Sequence, residues 1–275
     1  RFQVALVTDA AGLADSGRNA DARRGLKDAA ADPAACVAVS AVASAQAADY
    51  GPNLEAAARS AALVIAVGPA MAPAALAAAK ASPAVLFAVA GYSADGAQPN
   101  LVGLGFKADQ AAYLAGTAAG LFTHSNAVGA VYPVESPDTE AIRAAFEAGA
   151  MHASPKIKIF GVYQPPGPGF DDVAYGRARA EEELGQGADV IFNGGRSPGL
   201  GLLAAAAAKP GAACIGWETD QYLSVAPARP CLLTSAVFSY STAAATAARQ
   251  AAAGKLKGPN LVFAVAGSGV GLAPF

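Results

Sequence analysis

The residues best placed to do chemistry in this chain are polar and aromatic ones that fall where short apolar runs end. Asp9 closes the run VALVTD and is followed, within TDAAGLADSGRN, by Arg18 and Asn19 at the head of an alanine-rich stretch. Far downstream, Phe192 and Asn193 end the run in DVIFNGG, and Trp217 and Glu218 sit together in CIGWETDQ. A carboxylate beside an aromatic ring is suited to binding, because its oxygens grip vicinal hydroxyls while the ring offers a stacking face. A strand-end Asp equally well caps the helix after it, and the one tryptophan equally well fills a core. Asp9 and Glu218 at run ends, with Asn19 in the first turn of the helix after Asp9, together favour ligand contact.

Catalysis finds thinner support. No Gly-x-Ser-x-Gly elbow follows a strand, and neither histidine lies at a strand's carboxyl end. His124 belongs to a helix-ending THSN loop and His152 to the end of another helix, where a cationic cap is the ordinary role. Asp171 and Asp172 open a helix, and Glu181, Glu182 and Glu183 read as a solvated face. GGRSPGLG (Gly194–Gly201) links a strand to a helix but lacks both the Walker ending and the dinucleotide spacing. It reads as a tight turn whose helix-start amides could meet a polar ligand atom. GSGVG (Gly267–Gly271) has too little chain after it for a nucleotide site. The three cysteines have no metal-ligand spacing, so neither a zinc site nor any cofactor is expected.

Composition narrows the partners. A net charge of -2 and a pI near 5.7 give no basic stripe for nucleic acid. Hydrophobic residues make up 54% and mean hydropathy is +0.34, but alanine supplies much of both. The longest apolar stretch, Leu63 to Ala79, is broken by Gly68, Pro69 and Pro73, so it reads as strand, turn and helix, not a membrane span. Cys214 opens one strand and Cys231 precedes another, which leaves a disulfide or two thiols open; the odd third cysteine is expected buried. The chain opens at Arg1 directly into a strand, as a trimmed or mature product would, so compartment stays open.

Six apolar runs, spaced by alanine-rich helical stretches, must position these residues. Short Val- and Ile-rich runs of this kind are strands of a parallel sheet covered on both faces. Strands are expected at 2–8, 36–42, 63–67, 84–90 and 100–106, with helices at 16–31, 53–60 and 73–81 between the first four and a helix at 108–122. A second series follows, with strands at 127–132, 156–163, 189–192 and 213–217, then a strand at 232–238, a helix at 241–253 and a strand at 261–266. Two βα series imply an α/β protein of two doubly wound lobes. In such sheets ligands bind beyond the carboxyl ends of strands, which is where Asp9, Asn193, Trp217 and Glu218 fall. Gly116 and Gly120, four apart, suggest close helix packing. QPPGPGF (Gln164–Phe170) reads as an irregular loop.

With these residues in view, the chain resembles the basic membrane lipoprotein (BMP) family, the purine nucleoside receptor A type of ABC-transporter substrate-binding lipoprotein. The matching segments are VALVTDAAGLADSGRN, LVGLGFKADQAAYLAGTAAGL, FEAGA, GQGADVIFNGGRSPGLG, IGWETDQ, LLTSAVF and GVGLAPF, in order along nearly the whole chain. The resemblance implies a type I periplasmic-binding-protein fold, two lobes joined by three crossovers that close on a ligand. The expected lobes are 1–104 with 234–258 and 105–233 with 259–275. It also implies a binding protein with no catalysis, a nucleoside or purine-like ligand, an ABC permease as partner, a monomer, and an extracytoplasmic, lipid-anchored location. A ligand-sensing domain of the same fold and a nucleoside-processing enzyme are the alternatives.

The family's pocket carries over unevenly. Its strand-one Asp falls on Asp9, and its Phe-Asn pair falls on Arg18 and Asn19. A base-contacting Asp at the end of strand four aligns with Gly91, beside Tyr92. The strand aromatic is kept as Phe192, the ribose-gripping Asp becomes Glu218, and a Lys becomes Phe238. Arg18 either stacks on a ring in place of Phe or meets an anionic group. Asn193 and Trp217 complete the expected site.

Overall fold

The computed structural model describes residues 1–166, 172–195 and 198–275. The first series runs β1 (Phe2–Val7), α1 (Arg18–Ala31), β2 (Val37–Val42), α2 (Tyr50–Ala58), β3 (Leu63–Val67), α3 (Ala72–Ala81), β4 (Leu86–Ala90) and β5 (Leu101–Phe106). The second runs α4 (Ala108–Phe122), β6 (Ala127–Tyr132), α5 (Pro137–Ala153), β7 (Lys158–Tyr163), α6 (Val173–Gly185), β8 (Val190–Asn193), α7 (Pro198–Ala208), β9 (Ala213–Glu218) and α8 (Gln221–Ser224). The chain closes with β10 (Leu232–Phe238), α9 (Tyr240–Ala252), β11 (Asn260–Phe263) and β12 (Val270–Leu272). Among the described residues no helix is long and apolar enough to cross a membrane.

These elements form two compact units, Arg1–Lys107 with Ser239–Gly269 and Ala108–Phe238 with Val270–Phe275, so the chain passes between them three times. The first unit holds the sheet β11-β5-β4-β3-β1-β2, every pair parallel. The second holds β12-β10-β9-β8-β6-β7, parallel except for the β10–β12 pair. β3 and β6 are buried along their whole length, as strands covered on both faces must be.

The lobe boundaries differ from expectation at the return crossings. β10 belongs to the second sheet, where Thr234 lies opposite Ile215, and β11 belongs to the first, opposite β5. β11 is drawn there by Asn260, which accepts a hydrogen bond from the Ala94 amide (2.7 Å) and donates to the Ala94 carbonyl (2.9 Å). The last expected strand stops at Phe263, and the unforeseen β12 follows it, tied down by Thr234 Oγ1 donating to the Ala273 carbonyl at 2.7 Å.

Packing explains several local choices. A Cβ on Gly116 would lie 2.0 Å from the Phe146 carbonyl oxygen, so glycine is what lets α4 and α5 touch, as the spacing suggested. α1 starts at Arg18, later than expected, because Asp15 takes the amides of Gly17 (2.9 Å), Asn19 (3.0 Å) and Ala20 (2.9 Å). That leaves Asp9 without a capping duty. Asp172 caps α6 through the Tyr175 amide (2.9 Å), while Asp171 and most of the QPPGPGF loop lie outside the described residues.

Two expectations fail on burial. Glu181 and Glu182 are exposed, but Glu183 is 3% exposed and lies against Gly129 of β6. Neither of its carboxyl oxygens has a hydrogen-bond partner among the described residues. Burial, reinforced by the Glu182 charge, pushes its carboxyl up to about 9 despite nearby Arg179. The unpaired thiol, Cys36, is exposed where a buried one was expected. Cys214 and Cys231 form a disulfide inside an apolar cluster of the second unit.

Candidate functional site

In each sheet the strand order reverses at one point, and the carboxyl ends of the strands flanking it make the natural crevice of a doubly wound fold. In the first unit the reversal lies between β1 and β3, and in the second between β6 and β8.

The first reversal carries Asp9, Arg18, Asn19 and Gly68. Asp9 is 4% exposed; its Oδ1 accepts from the Asn19 side-chain amide (2.7 Å) and the Ala11 backbone (3.1 Å). Its Oδ2 accepts from Arg18 Nε (3.0 Å) and Nη2 (2.5 Å). α1 supplies both partners from its first turn, so the short Asp9–Asp15 loop must fold back on the strand end. Tyr50 steadies that loop, its hydroxyl accepting from the Ala10 amide at 3.1 Å. Asn19 is fully buried, and its carbonyl oxygen has no hydrogen-bond partner among the described residues.

Gly91 ends β4 with a φ of +81°, and a Cβ there would lie 2.8 Å from the Tyr240 hydroxyl. Position 91 therefore resists any side chain twice, through backbone strain and through collision. The carboxylate expected from the family pattern is excluded by the backbone as well as missing from the sequence. Tyr240, at the head of α9 and 1% exposed, fills that side with its ring against Phe106 (4.9 Å between centroids). No spacing signal in the sequence marked it. Tyr92 is half-buried and packs on the apolar core of the first unit.

The second unit is built on aromatic rings. Phe192 is fully buried, stacked on Phe146 (4.4 Å, 4°) and edge-on to Trp217 (5.6 Å). Phe238 meets Trp217 edge-on at 5.2 Å. Trp217 thus touches two rings edge-on and is 7% exposed. Tyr132, at the end of β6, is fully buried beside Phe192, and burial pushes its hydroxyl well above the ordinary tyrosine range.

Glu218 follows Trp217 with a φ of +71°, and the Thr219 amide donates to the Trp217 carbonyl at 2.8 Å. A non-glycine residue at the centre of so tight a turn is strained, and such strain concentrates at functional positions. Gln221 holds the turn: its Oε1 accepts from the Trp217 amide (3.1 Å) and from the Asn193 side chain (3.3 Å). Its own amide donates to Ser235 Oγ at 3.1 Å. Asn193 is 1% exposed and also accepts from the Gly195 amide at 3.0 Å, so it organises the strand end from within. Arg196 and Ser197 of the glycine-rich turn lie outside the described residues. Gln221 was visible in the TDQ run, but its role depends on a reach across three strands that spacing does not reveal.

The ABC transporter substrate-binding protein PnrA-like family profile matches residues 2–274. The chain belongs to this family. The CD4+ T-cell-stimulating antigen of Listeria monocytogenes serovar 1/2a is 32% identical over 209 residues, 74% of this chain and 57% of that protein. Basic membrane protein A of Borreliella afzelii is 32% identical over 112 residues, 41% of this chain and 34% of that protein. The alignments therefore span only part of either relative's length. Among solved structures, an ABC transporter solute-binding protein from Conexibacter woesei has a TM-score of 0.76 at 24% identity, over 100% of this chain and 89% of that one. The arabinose-binding protein AraP of Geobacillus stearothermophilus has a TM-score of 0.77 at 15% identity, over 99% and 96%. Both show the fold, the type I periplasmic-binding-protein architecture.

Proposed function

We propose that the protein is the extracytoplasmic receptor of an ABC importer, binding a small, ring-containing polar ligand of the nucleoside or purine-like class and delivering it to a membrane permease. It acts as a monomer, lipid-anchored in its full form, and converts nothing. The observation that carries this reading is the turn at Glu218, a strained carboxylate beside the Trp217 ring. A ring stacks on a ring, and a carboxylate accepts two hydrogen bonds from vicinal hydroxyls, which together describe a base joined to a polyol. In this reading Asp9, Arg18 and Asn19, with Gly91 and Tyr92 beside them, form the first unit's contribution. Trp217, Glu218 and Phe238, with Phe192 and Asn193, form the second's. The ligand-bound form is what the permease reads. A thermal-shift screen of nucleosides, nucleobases and related heterocycles tests the reading. A shift confined to unrelated sugars or amino acids would reject it.

A further inference from the structure

Glu183 is a buried carboxyl that ligand binding does not use. Glutamate is almost never fully buried unless paired, and this one stands on α6 between Ala180 and Leu184 of the apolar cluster that holds the disulfide. A Cβ on Gly129 would collide with Glu183 Oε2 and lie 2.7 Å from Ile191 Cδ1, so the carboxyl reaches the face of β6 and glycine leaves it room. Arg179, one turn earlier on α6, is engaged elsewhere. Its Nη1 pairs with Glu182 at 2.7 Å, its guanidinium lies over the Tyr175 ring, and its buried Nε has no hydrogen-bond partner among the described residues.

The other ionisable groups around Glu183 are Glu182, which repels its charge, and the uncharged hydroxyls of Tyr175 and of Tyr132 on β6. α7 brings none, and the Asp189 carboxylate before β8 turns away to the His124 (2.7 Å) and Ser125 (2.8 Å) amides. Only Arg179 and the Ala130 backbone pull toward the charged form. An ionised carboxylate in such a place is strongly unfavourable, and contact with water relieves it. α6 would reach water together with α7, because a Cβ on Gly201 would collide with the Val173 carbonyl oxygen. Two helices packed this closely make one unit of local opening.

We propose that Glu183 is a proton-operated latch of the second unit: neutral, it lets α6 lie on β6, and ionised, it drives α6 and α7 off the sheet together while the first unit stays closed. The latch does not depend on which ligand the protein takes. It does touch the candidate site, since a Cβ on Gly199 of α7 would collide with the Asn193 side chain. Opening therefore loosens that strand end as pH rises.

Amide hydrogen exchange tests the latch, with wild type and Glu183→Gln compared at each pH from about 6 to about 9 so that intrinsic exchange chemistry cancels. Closed, the carboxyl keeps its proton up to about 9, where an ordinary one gives it up near 4.5. Opening of α6 and α7 should therefore increase about tenfold per pH unit in the wild type. In Glu183→Gln it should stay flat, and β1 and β3 of the first unit should not distinguish the two proteins. Glu183→Leu, similar in volume and without charge, should match the Gln variant and serves if that variant does not fold. The same pH dependence in wild type and variants, or a difference that spreads equally to β1 and β3, would overturn the proposal.

Discussion

The strand ends of the two units solve the same positional problem with different chemistry. In the first, a charged pair is locked by buried hydrogen bonds and flanked by strand-end glycines, so its shape depends on polar geometry. In the second, stacked and edge-on rings stand beside a carboxylate on a strained turn, so its shape depends on packing. A polar lock is sensitive to any change of donor or acceptor, because an unmade buried hydrogen bond costs more than a made one contributes. A cluster of rings is sensitive to volume. The two contributions should therefore fail in different ways.

The largest effect should come from Trp217→Ala, which removes the ring that Phe192 and Phe238 both touch. Truncating a buried Trp costs about 3–5 kcal/mol, and denaturant melts should show that loss together with the loss of ligand binding. Replacing Cys214 and Cys231 together by alanine opens the loop that contains Trp217, Glu218 and Gln221. A loop of about this length is worth about 3 kcal/mol, so a comparable drop is expected in the same melts.

Glu183 sharpens the contrast through pH. Its carboxyl titrates at about 9 in the folded protein, above its ordinary value of 4.5. The folded state thus holds a proton that the unfolded state gives up, and stability falls as pH rises from about 4.5 to about 9. Glu183→Gln should flatten that decline and stabilise the protein at pH 8, which melts across pH 5–9 would show. Gly91→Asp restores the carboxylate of the family pattern but forces a side chain into a left-handed backbone against Tyr240. A loss of about 1–2 kcal/mol with no gain in affinity is expected. The last substitution, Glu218→Gln, keeps the size of the side chain and removes its charge. Its affinity for a ribonucleoside should fall about tenfold, and the loss should not add to that of the corresponding deoxynucleoside.

The alternation of strands and helices was legible because Val- and Ile-rich runs broken by glycine and polar residues leave few other folds. Family membership was legible in runs such as TDAAGLADSGRN and WETDQ. The partners of the site residues were not. That Asp9 spends its lone pairs on Arg18 and Asn19, that Asn193 turns inward to Gln221, and that Tyr240 occupies the space beside Gly91 all depend on contacts between distant elements. The same holds for β10 and β11, whose hydropathy marks them as strands while their pairing depends on Thr234 and Asn260. Glu183 misled for a related reason, since three consecutive glutamates on a helix point in three directions and one of them must face the sheet.

Native mass spectrometry, on the protein as purified and after incubation with a nucleoside mixture, tests the central claim most directly. One stoichiometric adduct with the mass of an intact nucleoside or purine-like heterocycle is expected, with no change in the free nucleosides after prolonged incubation. An adduct formed only with a simple sugar or amino acid, or release of free base and ribose, would contradict it.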